Sequence, residues 1–379
     1  MNRRGFLAGA AAVAALTPLR APSQEAGRPD FCYEDEESGV ADDIELLPSL
    51  GALAAEGGII FGSAFDVNAL CNPGYARLLR HHARILTTDN SMKFGMIRGD
   101  GPEPDYVQAD ALVEFASQAK IVLRGHALAW NENLPDWIKA ESNASRAYWL
   151  QRHIEETCGR YAGRIQSWDV VNEPFWPGHG IEGDYRGGVW FEALGKDYIV
   201  KSMKWAAAAD PQAKLAINEA GAEWLGDEAE RKRRGLLRTV AELKDAGVRI
   251  DIVGLESHWD RTVRFNSGVF RRFIDRLGAF GVDVYISELD AADEWTFYSS
   301  VRRDRIIASA YRSIVRAALS SKATKAIITW ELADNHSYKW TDPRPLLNPF
   351  WRPRPLPFDA NLRPKPAYHA LAAAFRTYR

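Results

Sequence analysis

The chain has 379 residues, of which 46% are hydrophobic and 26% are charged, and its formal net charge is -2. This composition is typical of a globular protein, and the nearly balanced charge excludes a basic surface of the kind that binds nucleic acid or an anionic membrane. The length would allow two domains, but a closed α/β barrel uses about 250 residues or more as a single unit.

The N-terminus has the pattern of an export signal. The sequence NRRGFL at 2–7 is similar to a twin-arginine signal, and the apolar stretch 8–16 is shorter than the roughly 20 residues that span a bilayer. We therefore predict an export signal over 1–26, followed by an acidic leader over 27–45. The mature protein would be periplasmic or secreted, with no membrane segment. An uncleaved hydrophobic anchor is the alternative interpretation.

The three cysteines are Cys32, Cys71 and Cys158, and their spacing does not match a metal site. An oxidising compartment would permit a Cys32–Cys71 disulfide, but the odd count and the size of the chain make it optional. Cys158 is expected to be a small buried hydrophobic residue.

Eight apolar segments alternate with helical patterns along residues 46–379, which we predict to be one catalytic domain. In chain order the segments are IIFGSAF, RILTTDN, KIVLRGHALAW, IQSWDVVNE, KLAINEA, IDIVGLESH, VDVYISELD and KAIITWELAD. Intervening stretches such as YWLQRHIEETCGRYA space their apolar residues three and four apart, as amphipathic helices do. Without a Gly-rich phosphate fingerprint, this alternation indicates an α/β fold of the single (β/α)8 TIM barrel type rather than a doubly wound sheet.

Seven of the predicted strands end in polar residues that a core would avoid. They are Asp89 and Asn90, His126, Asn172 and Glu173, Asn218 and Glu219, Glu256 and His258, Glu288 and Asp290, and Glu331 and Asp334. A barrel collects all these ends on one rim, where active sites of this fold lie. Each residue alone could be a helix cap or an ion-pair partner, but the coincidence of seven strand ends indicates a site.

The chemistry available on this rim is that of carboxylates. Glu173 ends the fourth predicted strand and Glu288 the seventh, so the two can face each other across the barrel mouth. Such a pair suits glycosidic bond hydrolysis, in which one carboxyl protonates the departing oxygen and the other meets the developing oxocarbenium carbon. Repulsion would keep one of the two protonated near neutral pH. We expect no cofactor and no metal.

Several of these segments resemble glycoside hydrolase family 10, the β-1,4-xylanase family. WDVVNEP resembles the family's acid/base signature and VYISELD its nucleophile signature, while DNSMKF, RGHALAWNENLPDW, LESHW and WELADNHSY resemble its other strand-end motifs. The likeness runs from about Leu50 to the C-terminus. It implies a retaining, endo-acting hydrolase that cleaves the β-1,4-xylosidic bonds of xylan by double displacement. Its partner would be a polysaccharide or oligosaccharide, and we expect a monomer.

The resemblance also implies roles for individual residues. Glu173 would be the acid/base, Glu288 the nucleophile, and His258 would orient Glu288. The remaining candidates would bind sugar, either through polar groups or as apolar platforms: Asn90, Lys93, His126 and Asn172, and Trp130 and Trp330. For Trp168 we expect core packing instead.

The residues around the pair depart from the family pattern. These departures are Asp89 for Glu, Asn131 and Asn133 for His and Gln, Glu256 for Gln, Glu331 for Gly and Tyr338 for Trp, and NEAG at 218–221 lacks the usual aromatic. Sites that pair with hydroxyls discriminate strongly between substrates. The changes therefore bear on the substrate more than on the reaction. Glu256 is a further substrate-binding candidate, either as a neutral acid or as a group that raises the pKa of its neighbours.

Three alternatives stay open. The substrate could be another β-linked polysaccharide, such as a bacterial exopolysaccharide. The protein could be a non-catalytic carbohydrate-binding barrel, although binding alone does not need an acid and a nucleophile. A metal-dependent hydrolase is disfavoured, because His81 and His82 are adjacent and no HxH or HExxH sequence occurs.

Overall fold

The computed structural model describes residues 44–260, 262–292, 298–341 and 351–378. The predicted export signal, nearly all of the acidic leader and Cys32 lie outside these ranges, and so does one half of the possible disulfide. Cys158 is buried and free, as expected. No helix in the described ranges has the length and apolar character that crossing a membrane requires.

Eight parallel strands form a closed barrel, which confirms the predicted (β/α)8 fold. They are β1 (Ile60–Phe65), β2 (Ile85–Thr88), β3 (Val122–Gly125), β4 (Ser167–Asn172), β5 (Lys214–Glu219), β6 (Ile252–Leu255), β8 (Asp283–Ala291) and β9 (Thr324–Thr329). Neighbours along the chain pair in order, and β1 pairs with β9. β6 pairs directly with β8, and the short β7 (His258–Trp259), which lies between them in the chain, pairs with the end of β8. Because every pairing is parallel, all carboxyl ends of the strands meet on one rim.

Helices follow the strands on the outside of the barrel. They are α1 (Leu50–Glu56), α2 (Asn68–Cys71), α3 (Pro73–His82), α4 (Phe94–Ile97), α5 (Val107–Ala119), α6 (Asp136–Ala140), α7 (Asn143–Arg160), α8 (Val189–Leu194), α9 (Asp197–Ala209), α10 (Asp227–Asp245), α11 (Ser267–Gly278), α12 (Ser300–Leu319) and α13 (Pro366–Thr377). Short 3-10 turns lie at Ile44–Leu46, Pro177–His179, Glu182–Asp184, Asp334–His336 and Tyr338–Thr341.

Two apolar layers hold the barrel together. The larger lies between strands and helices, and it includes Trp168, which is fully buried as expected. The smaller fills the barrel interior below the rim with Ile85, Ala216, Ile252, Tyr285, Ala326 and Ile328. Side chains alternate between the inside and the outside of the barrel along each strand. Closer to the carboxyl ends of the strands than this apolar layer, the inward-pointing positions are occupied by polar groups.

The sixth predicted strand is interrupted in the structure. The segment IDIVGLESH ends as β6 at Leu255, and His258 starts the separate β7. Ser257 between them has a φ of 63°, a left-handed conformation that ends a ladder. After the interruption His258 pairs with Asp290 on β8. An uninterrupted strand that kept the pairing of Leu255 with Ile286 would not bring these two residues together.

Candidate active site

The amide of Asn218, at the end of β5, lies at the centre of the rim. Its Nδ2 is within hydrogen-bonding distance of three oxygens: Glu288 Oε1 at 2.7 Å, Asn172 Oδ1 at 2.8 Å and Glu256 Oε1 at 3.0 Å. Gly254 leaves the space for this amide, since a Cβ there would lie 2.0 Å from Asn218 Oδ1. The strand ends therefore bring three predicted site residues onto one buried side chain.

The orientation of the Asn218 amide is set from its other side. Ser287 Oγ donates to Asn218 Oδ1 over 2.6 Å, and Arg124 Nη2 donates to the same oxygen over 3.2 Å. Because two donors occupy Oδ1, the NH2 group must face the three acceptors. Asn218 is thus a fixed donor to the rim.

Glu288 is held by His258 as well as by Asn218. His258 Nε2 lies 3.2 Å from Glu288 Oε2, and His258 Nδ1 lies 2.9 Å from Asp290 Oδ1. Burial raises the pKa of Glu288, but the influence of His126 and the hydrogen bond from His258 outweigh it and hold the pKa below its usual value. Glu288 is therefore a buried carboxylate kept ionised by its neighbours.

His126 lies on the opposite side of Glu288, at the end of β3. Its Nδ1 is 2.9 Å from Asp169 Oδ2 and 3.9 Å from Glu288 Oε1. Asp169 is in turn bound by Arg124, whose Nε donates to Asp169 Oδ2 over 2.8 Å. The buried Arg124–Asp169 ion pair orients the imidazole.

Glu173 directly follows β4 with a φ of 50°, and its backbone N–H donates to Asn218 O over 2.8 Å. A positive φ is uncommon for a residue with a side chain and is found at functional sites. The carboxylate of Glu173 accepts a hydrogen bond from Arg186, which also binds Glu132. Arg186 itself lies over the ring of Trp176, 4.6 Å from the centroid. Glu173 is thus fixed through both its backbone and its side chain.

Glu256 lies beside both proposed catalytic carboxylates. Burial, followed by the negative charges of Glu288 and Glu173, raises the pKa of Glu256 well above its usual value. The neighbouring Glu219 has a pKa raised to about 7, because burial and the charge of Glu173 outweigh its ion pair with Lys232. The rim therefore contains protonatable acids near neutral pH.

A second group of candidates lies around Lys93, beyond the end of β2. Lys93 Nζ donates to Asn90 Oδ1 over 3.0 Å, lies 3.6 Å from Asp89 Oδ1, and is 5.0 Å from the ring centroid of Trp130. Asn90 Nδ2 donates to Asp66 Oδ2 over 3.1 Å. These polar groups and one aromatic face form a continuous surface.

Two aromatic residues that follow the eighth barrel strand, β9, contribute unequally to the cleft. Trp330 is only 4% exposed and packs edge-on against His126, with ring centroids 5.3 Å apart. Tyr338 is 52% exposed and lies 6.1 Å from His258 by ring centroids. Tyr338 thus offers more open surface to a ligand than Trp330 does.

Two of the departures from the family pattern have structural partners. Glu331, with a φ of 74°, accepts a hydrogen bond from Tyr75 Oη, and burial with the charge of Asp89 raises its pKa well above the usual value. Asn131 Oδ1 accepts from the backbone N–H of Trp190 at the start of α8. Asn131 therefore binds a helix start through its carbonyl oxygen.

The sequence did not single out several residues that organise this site. They are Asp66, Tyr75, Arg124, Asp169 and Arg186. Arg124 and Asp169 lie inside predicted strands, where a charged residue is itself a signal that a buried ion pair is present. Arg186 lies in a loop without any comparable signal.

One group of side chains in the described ranges is close enough to share a metal ion: Glu256, His258 and Glu288, with ligand atoms within 4.8 Å of one another. Both nitrogens of His258 face carboxylate oxygens, which only accept hydrogen bonds, so both nitrogens carry hydrogens. Burial alone would lower the pKa of His258, but Asp290 and Glu288 raise it to about 9. The imidazolium of His258 thus lies between the carboxyl groups of Glu288 and Asp290.

Comparisons with known proteins point to one family. The family model described as "Glycosyl hydrolase family 10" matches residues 49–374. Endo-1,4-beta-xylanase B of Thermotoga neapolitana is 29% identical over 306 residues, covering 78% of this chain and 82% of the relative. Endo-1,4-beta-xylanase 2 of Claviceps purpurea is 30% identical over 320 residues, covering 84% and 88%.

Solved structures show the same fold. Native xylanase 10B from Thermotoga maritima superimposes with a TM-score of 0.77 at 29% identity, covering 87% of this chain and 98% of that one. Xylanase 10B from Thermotoga petrophila RKU-1, in complex with xylobiose, gives the same TM-score, identity and coverage.

Proposed function

Since the chain belongs to glycosyl hydrolase family 10, we propose that it is an endo-acting enzyme that cleaves the β-1,4-xylosidic bonds of xylan with retention of configuration. Glu288 is the proposed nucleophile and Glu173 the proposed acid/base. The observation that carries the proposal is the environment of Glu288, a buried carboxylate whose pKa is held below its usual value by His126 and His258. A nucleophile must be ionised when substrate binds.

The reaction then proceeds in two displacements. Glu288 attacks the anomeric carbon while Glu173 gives its proton to the departing glycosidic oxygen, which leaves a glycosyl ester on Glu288. Glu173, now a carboxylate, takes a proton from a water molecule whose oxygen attacks the same carbon. The carbon–oxygen bond to Glu288 breaks, and both carboxyl groups return to their starting states.

The sugar-binding roles are supported by position. His126 Nδ1 lies 3.9 Å from Glu288 Oε1, and Asn172 shares the donor Asn218 Nδ2 with Glu288. The sugar that undergoes attack would lie at this position. Asn90, Lys93 and Trp130 form the neighbouring surface, which suits the next sugar on the glycone side. Trp330 would contact a sugar only through the edge of its ring, since most of the ring is buried.

Xylan is the proposed substrate because the relatives with similar sequence are named xylanases and a solved neighbour holds xylobiose. A different β-linked polysaccharide is the second candidate. The specific observation in its favour is Glu331, a buried carboxyl whose pKa is raised by burial and by the charge of Asp89. The resemblance of WELADNHSY to the family motif implies glycine at this position. We also propose export through the twin-arginine pathway, on the basis of the sequence at 1–26.

Chemical rescue tests the catalytic assignment. Glu288→Ala should lose nearly all hydrolysis of an aryl β-xyloside, and azide should restore turnover as the α-glycosyl azide. Glu173→Ala should instead give the β-azide, since azide then attacks the glycosyl-enzyme. Glu155→Ala, on the exposed face of α7, is the matched control and should behave as wild type. Full activity in Glu288→Ala would refute the assignment.

A panel of polysaccharides tests the substrate. Soluble xylans, β-glucans and the host's own secreted polysaccharide should be incubated with wild type and with Glu288→Ala. Xylo-oligosaccharides released only by wild type would support xylan. Binding of a glycan without products from any member would instead favour a carbohydrate-binding barrel.

A further inference from the structure

Glu256 is a buried carboxyl that the double displacement does not use. It follows β6 and is 2% exposed, and the resemblance of LESHW to the family motif implies glutamine at its position. An ionised carboxyl buried without a cation of its own is expensive. Its charge state therefore needs an explanation.

The hydrogen bonds around Asn218 limit that charge state. Its NH2 group has two hydrogens, yet it faces Glu288 Oε1, Asn172 Oδ1 and Glu256 Oε1. The distances favour Glu288 at 2.7 Å and Asn172 at 2.8 Å over Glu256 at 3.0 Å. Glu256 receives the weakest share of this donor.

The imidazole of His258 is shared in the same unequal way. Its Nε2 lies 3.2 Å from Glu288 Oε2 and 3.6 Å from Glu256 Oε2. Only the first distance is that of a hydrogen bond. Asn218 Nδ2 and His258 Nε2, the two donors that hold Glu288, thus lie near Glu256 as well, but each is closer to Glu288.

The remaining ionisable groups that face Glu256 are mostly acids. They are Glu173 after β4, Glu219 on β5, Glu223 in the following loop, Glu288 on β8 and Tyr338 after β9, with His258 on β7 as the cation. The ionised Glu288, and any of the other acids when it is ionised, favours the neutral form of Glu256. The Lys232 ammonium is bound to Glu219, 3.0 Å away, and not to Glu256.

We propose that Glu256 is a positioning residue that works as a neutral carboxylic acid, leaving Asn218 and His258 to Glu288, and that its ionisation ends activity at alkaline pH. In the neutral form it is a poor competitor for either donor and, like an amide, has one acceptor and one donor group. Once ionised, it draws Asn218 Nδ2 and His258 Nε2 away from Glu288. The nucleophile then loses the contacts that fix its orientation.

This inference rests on the proposed function, and Glu256→Gln tests it. The variant cannot ionise but keeps the shape of the side chain. The kcat/KM of wild type on an aryl β-xyloside should fall about tenfold per pH unit on the alkaline limb, as for one essential proton. In Glu256→Gln that limb should move to higher pH, so the ratio of variant to wild-type activity rises by about tenfold or more there. Glu155→Gln is the control and should follow wild type.

A spectroscopic measurement makes the test independent of turnover. Infrared difference spectra of wild type minus Glu256→Gln, near neutral pH, should show the carbonyl stretch of a protonated carboxylic acid. An alkaline limb that stays unmoved in the folded variant, because loss of the proton of Glu173 or of His258 controls it instead, would overturn the inference. So would a difference spectrum with only carboxylate bands. If wild type cleaves no glycoside, the proposed function fails, and the spectrum still decides the state of Glu256.

Discussion

His258 bonds to Glu288 through Nε2, over 3.2 Å. The other ring nitrogen lies 2.9 Å from Asp290 Oδ1, and Asp290 also accepts from Lys339. Two carboxylates on one imidazole raise the pKa of His258 to about 9 although burial acts in the opposite direction. The imidazolium is therefore the permanent cation next to the proposed nucleophile at neutral pH.

Asp290→Asn should lower the pKa of His258. A histidine whose pKa is raised on folding stabilises the fold fully below its unfolded pKa of about 6.5, and this stabilisation is lost as the pH rises toward 9. The free energy of unfolding of wild type should therefore contain a component that declines from pH 6.5 to 9, and the variant should lose part of it. NMR titration of the His258 ring measures the shift directly. An unchanged titration midpoint would contradict the assigned cause.

Arg186→Lys should lower kcat/KM about tenfold. The guanidinium binds Glu173 and Glu132 at once, whereas an ammonium cannot reproduce that planar fork. Glu132→Gln is the matched control, because the Glu132 side chain is 55% exposed and exposed ion pairs contribute little. Steady-state kinetics on the aryl β-xyloside compare the two. Equal losses in both variants would show that the outer pair matters as much as the inner one.

His153→Leu should stabilise the fold, and more so in acid. His153 is fully buried against Phe94, and both of its ring nitrogens lack a hydrogen-bond partner among the residues that the structure describes. Burial lowers its pKa to about 3. Below pH 6.5 the imidazole of His153 binds a proton in the unfolded chain but stays neutral in the folded chain. The free energy of unfolding of wild type therefore falls as the pH drops from 6.5 toward 3. We expect a gain of about 1 kcal/mol at pH 7, the scale of one unpaired buried group.

Urea unfolding at pH 7 and pH 5 measures this gain. The difference between His153→Leu and wild type should grow toward pH 5. A difference that stays constant between the two pH values would mean that His153 does not titrate on unfolding.

Tyr75→Phe should lower the free energy of unfolding by about 1–3 kcal/mol, because it removes the hydrogen bonds of two buried polar groups. Tyr75 Oη donates to Glu331 and accepts from the backbone N–H of Leu332 over 2.9 Å. In a Glu331→Gly background the loss should be smaller, since only the N–H of Leu332 is then left unpaired. A double-mutant cycle by chemical unfolding measures the coupling, and additivity would show that the two side chains do not interact energetically.

The sequence by itself predicted the barrel, which the structure confirms, and it singled out Glu173 and Glu288 as the proposed catalytic pair. Each strand is an apolar run that turns polar toward its carboxyl end. Such a pattern is local, so the sequence could predict Glu173 and Glu288 near strand ends, and in the structure Glu173 directly follows β4 while Glu288 lies within β8. The alternation of strands and helices then dictates that all tips share one rim. This inference uses neighbours along the chain only.

The tertiary structure alone decided which side chains on the rim bind each other. Asn218 meets Glu288 across 70 positions of the chain and Glu256 across 38, and Arg186 reaches Glu173 from a loop with no pattern of its own. Such contacts depend on register and on which side chain a neighbour leaves room for, as Gly254 does for Asn218. Local periodicity fixes which face a residue occupies, but the partners and protons on that face follow from packing between distant segments.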